Sequence, residues 1–378
     1  MIGTIFAIAI QAAVSPANIP LPVFPSQVFD VVEYGARLDG KKCTEAIARA
    51  VDACSAAGGG TVRIPAGIWF TGPVHLKSNV RLELLKGAIL DFSDDPEDCL
   101  PAVMSSWEGL ECLNYSPLIY AFGCTNVALC GKGVLKPRMG RWKKQMEENM
   151  TDIQGARAIL YKWGSEDFPV ERRDMPAAHL AIMRPQCVQF NRCKGVLIED
   201  VSIRESPFWT IHLFLSENVV VRNVDVEARG FNNDGIDIEM TRNVLVDGGV
   251  FNVGDDGFVF KAGRNRDAWR IGVPTENVLV RNCRIVNAHT IFGIGSEISG
   301  GVRNVRMENC TGDVVTRAVY IKTNHRRGGF VENVSVANVA CKEAKVSVFG
   351  IGTDVLYEWA EFPEYETAIT EISNISVS

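Results

Sequence analysis

The chain has 378 residues, 47% of them hydrophobic and 22% charged, with a formal net charge of -6. That balance belongs to a globular protein with a large core, and it argues against nucleic acid as a partner. An anionic ligand would need a site that is locally positive against this background.

Residues 1–14, M-I-G-T-I-F-A-I-A-I-Q-A-A-V, are apolar but too short to cross a bilayer. They have the look of an export signal lacking its basic start, so residues 1–20 are expected to be a leader and the protein to be extracellular or periplasmic. No other stretch reads as a membrane span. The 11 cysteines show no metal-ligand spacing and are expected to be buried thiols serving as small hydrophobes. Neither a cofactor nor a metal is expected.

After the leader, Phe29 to Gly40 reads as a short strand and turn. Thr44 is placed to cap a helix over Glu45–Ala57, with Ile47, Ala50, Val51 and Cys54 at helical spacing and Gly58-Gly59-Gly60 stopping it. From there the chain repeats itself. The phrase N-V/I-x-V/L begins at Asn79, Asn126, Asn218, Asn243, Asn277, Asn304, Asn333 and Asn374, with a glycine variant at Gly195. Gly195, Asn218 and Asn243 lie 23 and 25 residues apart. Each repeat offers two or three short β-branched strands, too few to bury a face alone, so the repeats must stack. Parallel strands with right-handed crossovers then give an all-β, single-stranded right-handed parallel β-helix over residues 21–378, with a short N-terminal capping helix. The asparagines belong at the bends, bonding backbone or one another up the stack. Leucine-rich repeats are excluded by spacing, and a propeller by strand count. Two insertions, 136–180 and 341–370, are expected to line one groove.

The chemistry concentrates between Asn232 and Lys322. Asp234 and Asp255 are 21 residues apart, about one turn of the coil, and Asp256 follows directly. Matching positions on adjacent turns would bring their backbones to the strand spacing, roughly 4.7–4.9 Å. Three carboxylates that close cannot all ionise freely, so one proton is held to raised pH. Acetal cleavage needs that division: a protonated carboxyl for the leaving oxygen and a carboxylate for water. A calcium site or bend-stabilising aspartates would explain the acids equally well from spacing alone. His289 and Lys322, at similar phase on the following turns, tilt the balance toward catalysis.

N-N-D-G-I-D, V-G-D-D, H-T-I-F-G-I-G-S-E and Y-I-K resemble the four signature blocks of glycoside hydrolase family 28, the polygalacturonase family. The likeness runs from about Val31 onward and is strongest to bacterial exo-acting members. It implies the same β-helix, the pectin-lyase-like solenoid. It also implies Asp255 as general acid, Asp234 and Asp256 as the pair activating water with inversion, and His289 assisting the acid. Lys322 would bind a galacturonate carboxylate. The family's R-I-K stands here as Tyr320-Ile321-Lys322, so its arginine is missing, and Arg317, Arg326 or Arg327 is expected to substitute. Lysine alone reads a carboxylate as a point charge, without the bidentate fork of arginine.

Further substrate contacts are expected from Trp107 and Glu108, from Arg184 as a carboxylate clamp, and from Trp209 and His212 one turn before Asp234. Glu297 is read as a turn residue or charge partner and Lys261 as structural. The expected activity is inverting, exo-type hydrolysis of α-galacturonosyl linkages by a monomer, with a pectic poly- or oligosaccharide as partner. A rhamnogalacturonan-type hydrolase, a pectate lyase and a non-catalytic glycan-binding β-helix are the alternatives.

Overall fold

The structure is a computed structural model, and it describes residues 16–148, 150–178, 183–355 and 367–378. The leader-like run at 1–14 lies outside the described residues, as do residues 356–366 of the second expected insertion. Among the described residues, 22 strands join in one sheet whose pairings are all parallel. The strands wind as a right-handed parallel β-helix, the hand that parallel crossovers almost always take.

Stacking is residue upon residue. One interior column runs Leu82, Leu129, Ile198, Val221, Val246, Val280, Met307, Val336. A second runs Ile119, Val188, Ile211, Ile236, Phe258, Phe292, Val319. The named members of both columns are buried. Alternation along each strand sends the intervening residues outward, and on the second column's strands that outer face becomes the floor of a groove.

The repeating asparagines hold the bends. Asn218, Asn243, Asn277, Asn304, Asn333 and Asn374 all have φ between 53° and 58°, where Gly195 takes the equivalent turn at 70°. Their side chains form a ladder in which the amide of Asn243 donates to Asn218, Asn277 to Asn243, Asn304 to Asn277, Asn333 to Asn304 and Asn374 to Asn333. Asn277→Ala removes two of these bonds and puts a Cβ residue of ordinary preference in the left-handed region. A loss of about 1–3 kcal/mol is expected, and less for Asn277→Gly, which removes only the bonds. Urea melts of the two variants beside the wild type would show that order.

Helix α1, Thr44–Ala56, buries Ala46, Ile47, Ala50, Val51 and Cys54 against the first coil and so covers strand edges that would otherwise be open. Thr44 does not cap it. The N-cap is Cys43 without a side-chain bond, and the Thr44 hydroxyl instead accepts the Gly72 amide at 2.6 Å. All 11 cysteines are free thiols, ten of them buried.

The first insertion carries helices α2, Gly140–Glu148, and α3, Met150–Ser165. A shorter helix, α4, Asn265–Ile271, fills the insertion before Asn277. The second insertion begins later than expected. Strand Phe330–Gly352 pairs with Val302–Lys322 as far as Gly352, with one bulge opposite Val315 and Arg317, so residues 341–352 are a further rung of the coil. One antiparallel hairpin, Val103–Trp107 with Leu110–Asn114, stands outside the coil.

Candidate active site

The acids sit in the bends that lead into the groove strands. Ile236 pairs with Phe258, Phe258 with Phe292, and Phe292 with Val319. Ahead of those pairs, the Gly235 amide donates to the Asp256 carbonyl, Asp255 to Asn233, Gly257 to Thr290 and His289 to Asp255. Asp234 therefore stacks on Asp256, while Asn233, Asp255 and His289 form the neighbouring column. The expectation that Asp234 and Asp255 match was off by one, because the rung here is 22 residues. Close stacking requires Gly235: a Cβ there would lie 2.4 Å from the Gly257 carbonyl oxygen.

The two columns differ in environment. Asp234 and Asp256 are 3% and 1% exposed, whereas the side chains of Asp255 and His289 are 28% and 51% exposed. Lys322 donates to Asp256 Oδ2 at 2.7 Å. Burial pushes the Asp256 carboxyl up, but the Lys322 ammonium more than offsets this and holds it below the ordinary carboxylate range. Asp255 goes the other way, raised by burial and by the Asp256 charge. Asp234 is raised well above its ordinary value by burial and by the Asp255 charge. One ionised carboxylate thus lies beside two that keep their protons more readily. His289 Nδ1 is 3.9 Å from Asp255 Oδ1, a charge contact rather than a hydrogen bond.

Ligand atoms of Asp255, Asp256 and His289 lie within 4.8 Å of one another, close enough for a shared ion. The Lys322 ammonium already supplies the cation to Asp256, and three ligands fall short of the six to eight oxygens calcium prefers.

A wall rises beside the acids. The hairpin crosses the groove strands from Met104, whose carbonyl accepts from Tyr120 and Asn191, to Glu108, whose carbonyl accepts from Arg264. On the way, Ser105 donates to Gln189 and Ser106 approaches Glu239. Helix α3 backs it: Ala156, Leu160 and Tyr161 pack with Trp107, Leu110, Phe208 and Trp209. The outward-facing Gln189, His212, Asp237 and Glu239 are consequently 0% exposed.

This wall changes the place of several expected contacts. Trp107 is 1% exposed and stacks on Phe208 at 3.9 Å, within the wall rather than as an open platform. Glu108 pairs with Arg157 at 2.8 Å and accepts from the Tyr161 hydroxyl, so it ties the hairpin to α3. His212 is clamped between Gln189 and Glu239, at 2.9 and 3.0 Å, with Trp209 edge-on to it. Arg184 lies behind the catalytic bend, donating to the carbonyls of Pro207 and Phe231 and to Asn232 Oδ1. Burial pushes its guanidinium down to about 9. It props the bend from behind instead of reaching into the groove. Lys261 pairs with Glu297 at 2.9 Å, and Arg264 joins the same carboxylate at 2.8 Å. Asp234, Asp255, Asp256, His289 and Lys322 do come together. Arg317 and Tyr320 share the strand of Lys322, one rung past His289, in register with Thr290 and Gly293. Arg327 is buried and spent on Ser296 and Asn265.

Asp237 was missed, though it lies in the same N-N-D-G-I-D phrase and alternation points it into the groove. Its two carboxylate oxygens have no hydrogen-bond partner among the described residues. Burial and the Asp234 charge raise it well above the ordinary range. A carboxyl raised on folding stabilises below its unfolded pKa, near 3.9, and loses that contribution as pH rises through the folded value. Asp237→Asn is therefore expected to melt higher than wild type at pH 8 and alike at pH 4, by scanning calorimetry.

Paired acids beside a buried ammonium, in a groove on a β-helix, define a glycosidase-type site. The profile of glycosyl hydrolases family 28 matches residues 176–378, more than half of the chain, and the chain belongs to that family. It resembles the crystal structure of a hyperthermoactive exopolygalacturonase from Thermotoga maritima at 38% identity and a TM-score of 0.85, covering 94% of this chain and 81% of that one. An exo-poly-alpha-D-galacturonosidase of Dickeya chrysanthemi is 28% identical over 340 residues, 84% of this chain and 55% of that protein. A Vitis vinifera protein named "Probable polygalacturonase" is 25% identical over 350 residues, 88% of this chain and 65% of that protein. The chain thus spans less than two thirds of these two curated relatives.

Proposed function

We propose that the protein is an inverting hydrolase that removes galacturonate from the non-reducing end of pectic chains. The observation that carries this reading is the wall at Val103–Asn114, which among the described residues crosses the groove strands at Gln189 and Glu239, on the rungs before Asp255. Asp255 faces His289 on the later rung, so the leaving oxygen and its sugar lie on that side. The sugar being cleaved off rests on the Asp234 side, against the wall, with no room for another beyond it.

In the reaction, Asp255 gives its proton to the glycosidic oxygen as the bond to the anomeric carbon breaks. Asp256, kept ionised by Lys322 and sharing its surroundings with Asp234, takes a proton from the water that attacks the opposite face. Lys322 supplies the positive charge for a substrate carboxylate in an acidic protein. Oligogalacturonides labelled at the reducing end test the direction of attack. The label is expected to stay in the longer product while unlabelled galacturonate accumulates. Labelled short fragments at early times would show an open groove, and an ultraviolet-absorbing unsaturated product would show elimination instead.

A further inference from the structure

The wall has a second side. Its return strand, Leu110–Asn114, borders a cavity of about 430 Å³ that none of the catalytic acids line. Phe122 and Arg192 enter it from the ends of two groove strands, and Phe168 from the turn after α3. The volume falls within the roughly 300–1,000 Å³ usual for small-molecule sites.

The polar groups around the cavity are fixed in advance. Glu111 is 3% exposed and accepts from Arg192 through one oxygen and from Arg270, at 2.6 Å, through the other. Asn191 Oδ1 takes a second donor of Arg192 at 2.8 Å, and Asp267 takes two of Arg270. Arg192 Nε and Arg270 Nη1 keep N–H groups with no acceptor among the described residues. Donors held in place lose little freedom when a ligand arrives. Beside them the Phe122 ring is 45% exposed, with the Arg192 guanidinium 5.7 Å from its centre. Phe168 is stacked on Trp163 at 5.2 Å, so its ring is held as well.

An apolar ring face next to fixed hydrogen-bond donors matches a sugar, which has a C–H face and a hydroxyl rim. Charge decides which sugar. Around the cavity Arg173, Arg192 and Arg270 are balanced by Glu111, Asp167 and Glu171. In a chain of net charge -6, that balance offers a uronate no attraction. We propose that the cavity is a second saccharide site, which takes a neutral pyranose with its apolar face on Phe122 and its hydroxyls on Arg192 and Arg270. Naming that pyranose as a neutral side-branch sugar of pectin rests on the galacturonate-hydrolase reading above. A branch held there keeps the enzyme on a branched polymer while a chain end occupies the acids.

Saturation-transfer NMR with a β-linked galactobiose tests this on Asp255→Asn protein, which can hold digalacturonate without cleaving it. Galactobiose should receive saturation from aromatic protons, and excess digalacturonate should leave that signal unchanged. Adding Phe122→Ala should weaken galactobiose binding about 10-fold, and Phe122→Tyr, which keeps the ring face, should preserve it. With Asp255 intact, Phe122→Ala should leave kcat/KM for digalacturonate unchanged. No saturation of galactobiose would overturn the proposal. So would its displacement by digalacturonate, which would put the neutral sugar in the catalytic groove, or undiminished binding to Phe122→Ala. The binding readout does not depend on turnover. Wild-type protein that binds galactobiose through Phe122 but leaves oligogalacturonides intact would sink the galacturonate reading and keep the site.

Discussion

Asp255→Asn is expected to lower kcat on oligogalacturonides by about 10²–10⁴-fold, the range for loss of a general acid, with KM nearly unchanged and folding intact. The prediction follows from the split environment of the three aspartates. Asp255 is raised by burial and by the Asp256 charge, so it carries the proton the leaving oxygen needs. Among the described residues its carboxylate makes no hydrogen bond that holds the bend, and an amide would relieve repulsion with Asp256, so the melting temperature should match or exceed that of wild type. The pH profile adds a second readout. Wild-type activity should fall as pH drops through the lowered Asp256 value and as pH rises through the raised Asp255 value. The apparent values belong to the three coupled carboxyls together. The alkaline limb should vanish in the variant when it is assayed on p-nitrophenyl α-D-galacturonide, whose leaving group departs without a proton.

Lys322→Met should be damaging in a different way. It leaves Asp256, 1% exposed, without the ammonium that lies 2.7 Å from its Oδ2. Breaking a buried pair from one side costs about 3–5 kcal/mol. The loss depends on pH. In wild type the Asp256 pKa is lowered on folding, so its contribution is present above the unfolded value, near 3.9, and fades as pH falls through the folded one. Without Lys322, burial is opposed only by the smaller effects of the Thr290 hydroxyl and the Lys261 charge, so the carboxylate's charge opposes folding as pH climbs. The gap between variant and wild type should therefore be small near pH 4 and widen toward pH 7, as read by urea melts at both. Activity should be lost over the whole range. A gap that stays constant with pH would mean Lys322 supports the fold by packing rather than by charge.

The coil was legible because its signal is local and repeated. Each N-V-x-V phrase places an asparagine at a bend and two β-branched residues in the interior, and the ladder from Asn218 to Asn374 is the same pattern in three dimensions. The stacking partner of Asp234 was not legible to within one residue. Only the strand pairing of Ile236 with Phe258 fixes that rung at 22 residues, and a slip of one exchanges Asp255 for Asp256. The rung at 341–352 was hidden because K-E-A-K-V-S-V-F-G-I-G lacks the asparagine phrase while keeping the strand alternation. The wall was beyond reach for another reason. Ser106 meets Glu239 across 133 residues of sequence and Arg264 meets the Glu108 carbonyl across 156. No local pattern announces such contacts, so Trp107, Glu108, Trp209 and His212 read as open groove residues when they are the wall and the floor beneath it. Asp237 could have been found by alternation from Asp234 alone.

The most direct test of a walled, inverting site is proton NMR of the first products from tetragalacturonate, taken before mutarotation. The account predicts β-galacturonate and trigalacturonate in equal amounts from the earliest point. Digalacturonate formed at the outset, or galacturonate appearing as the α-anomer, would contradict it.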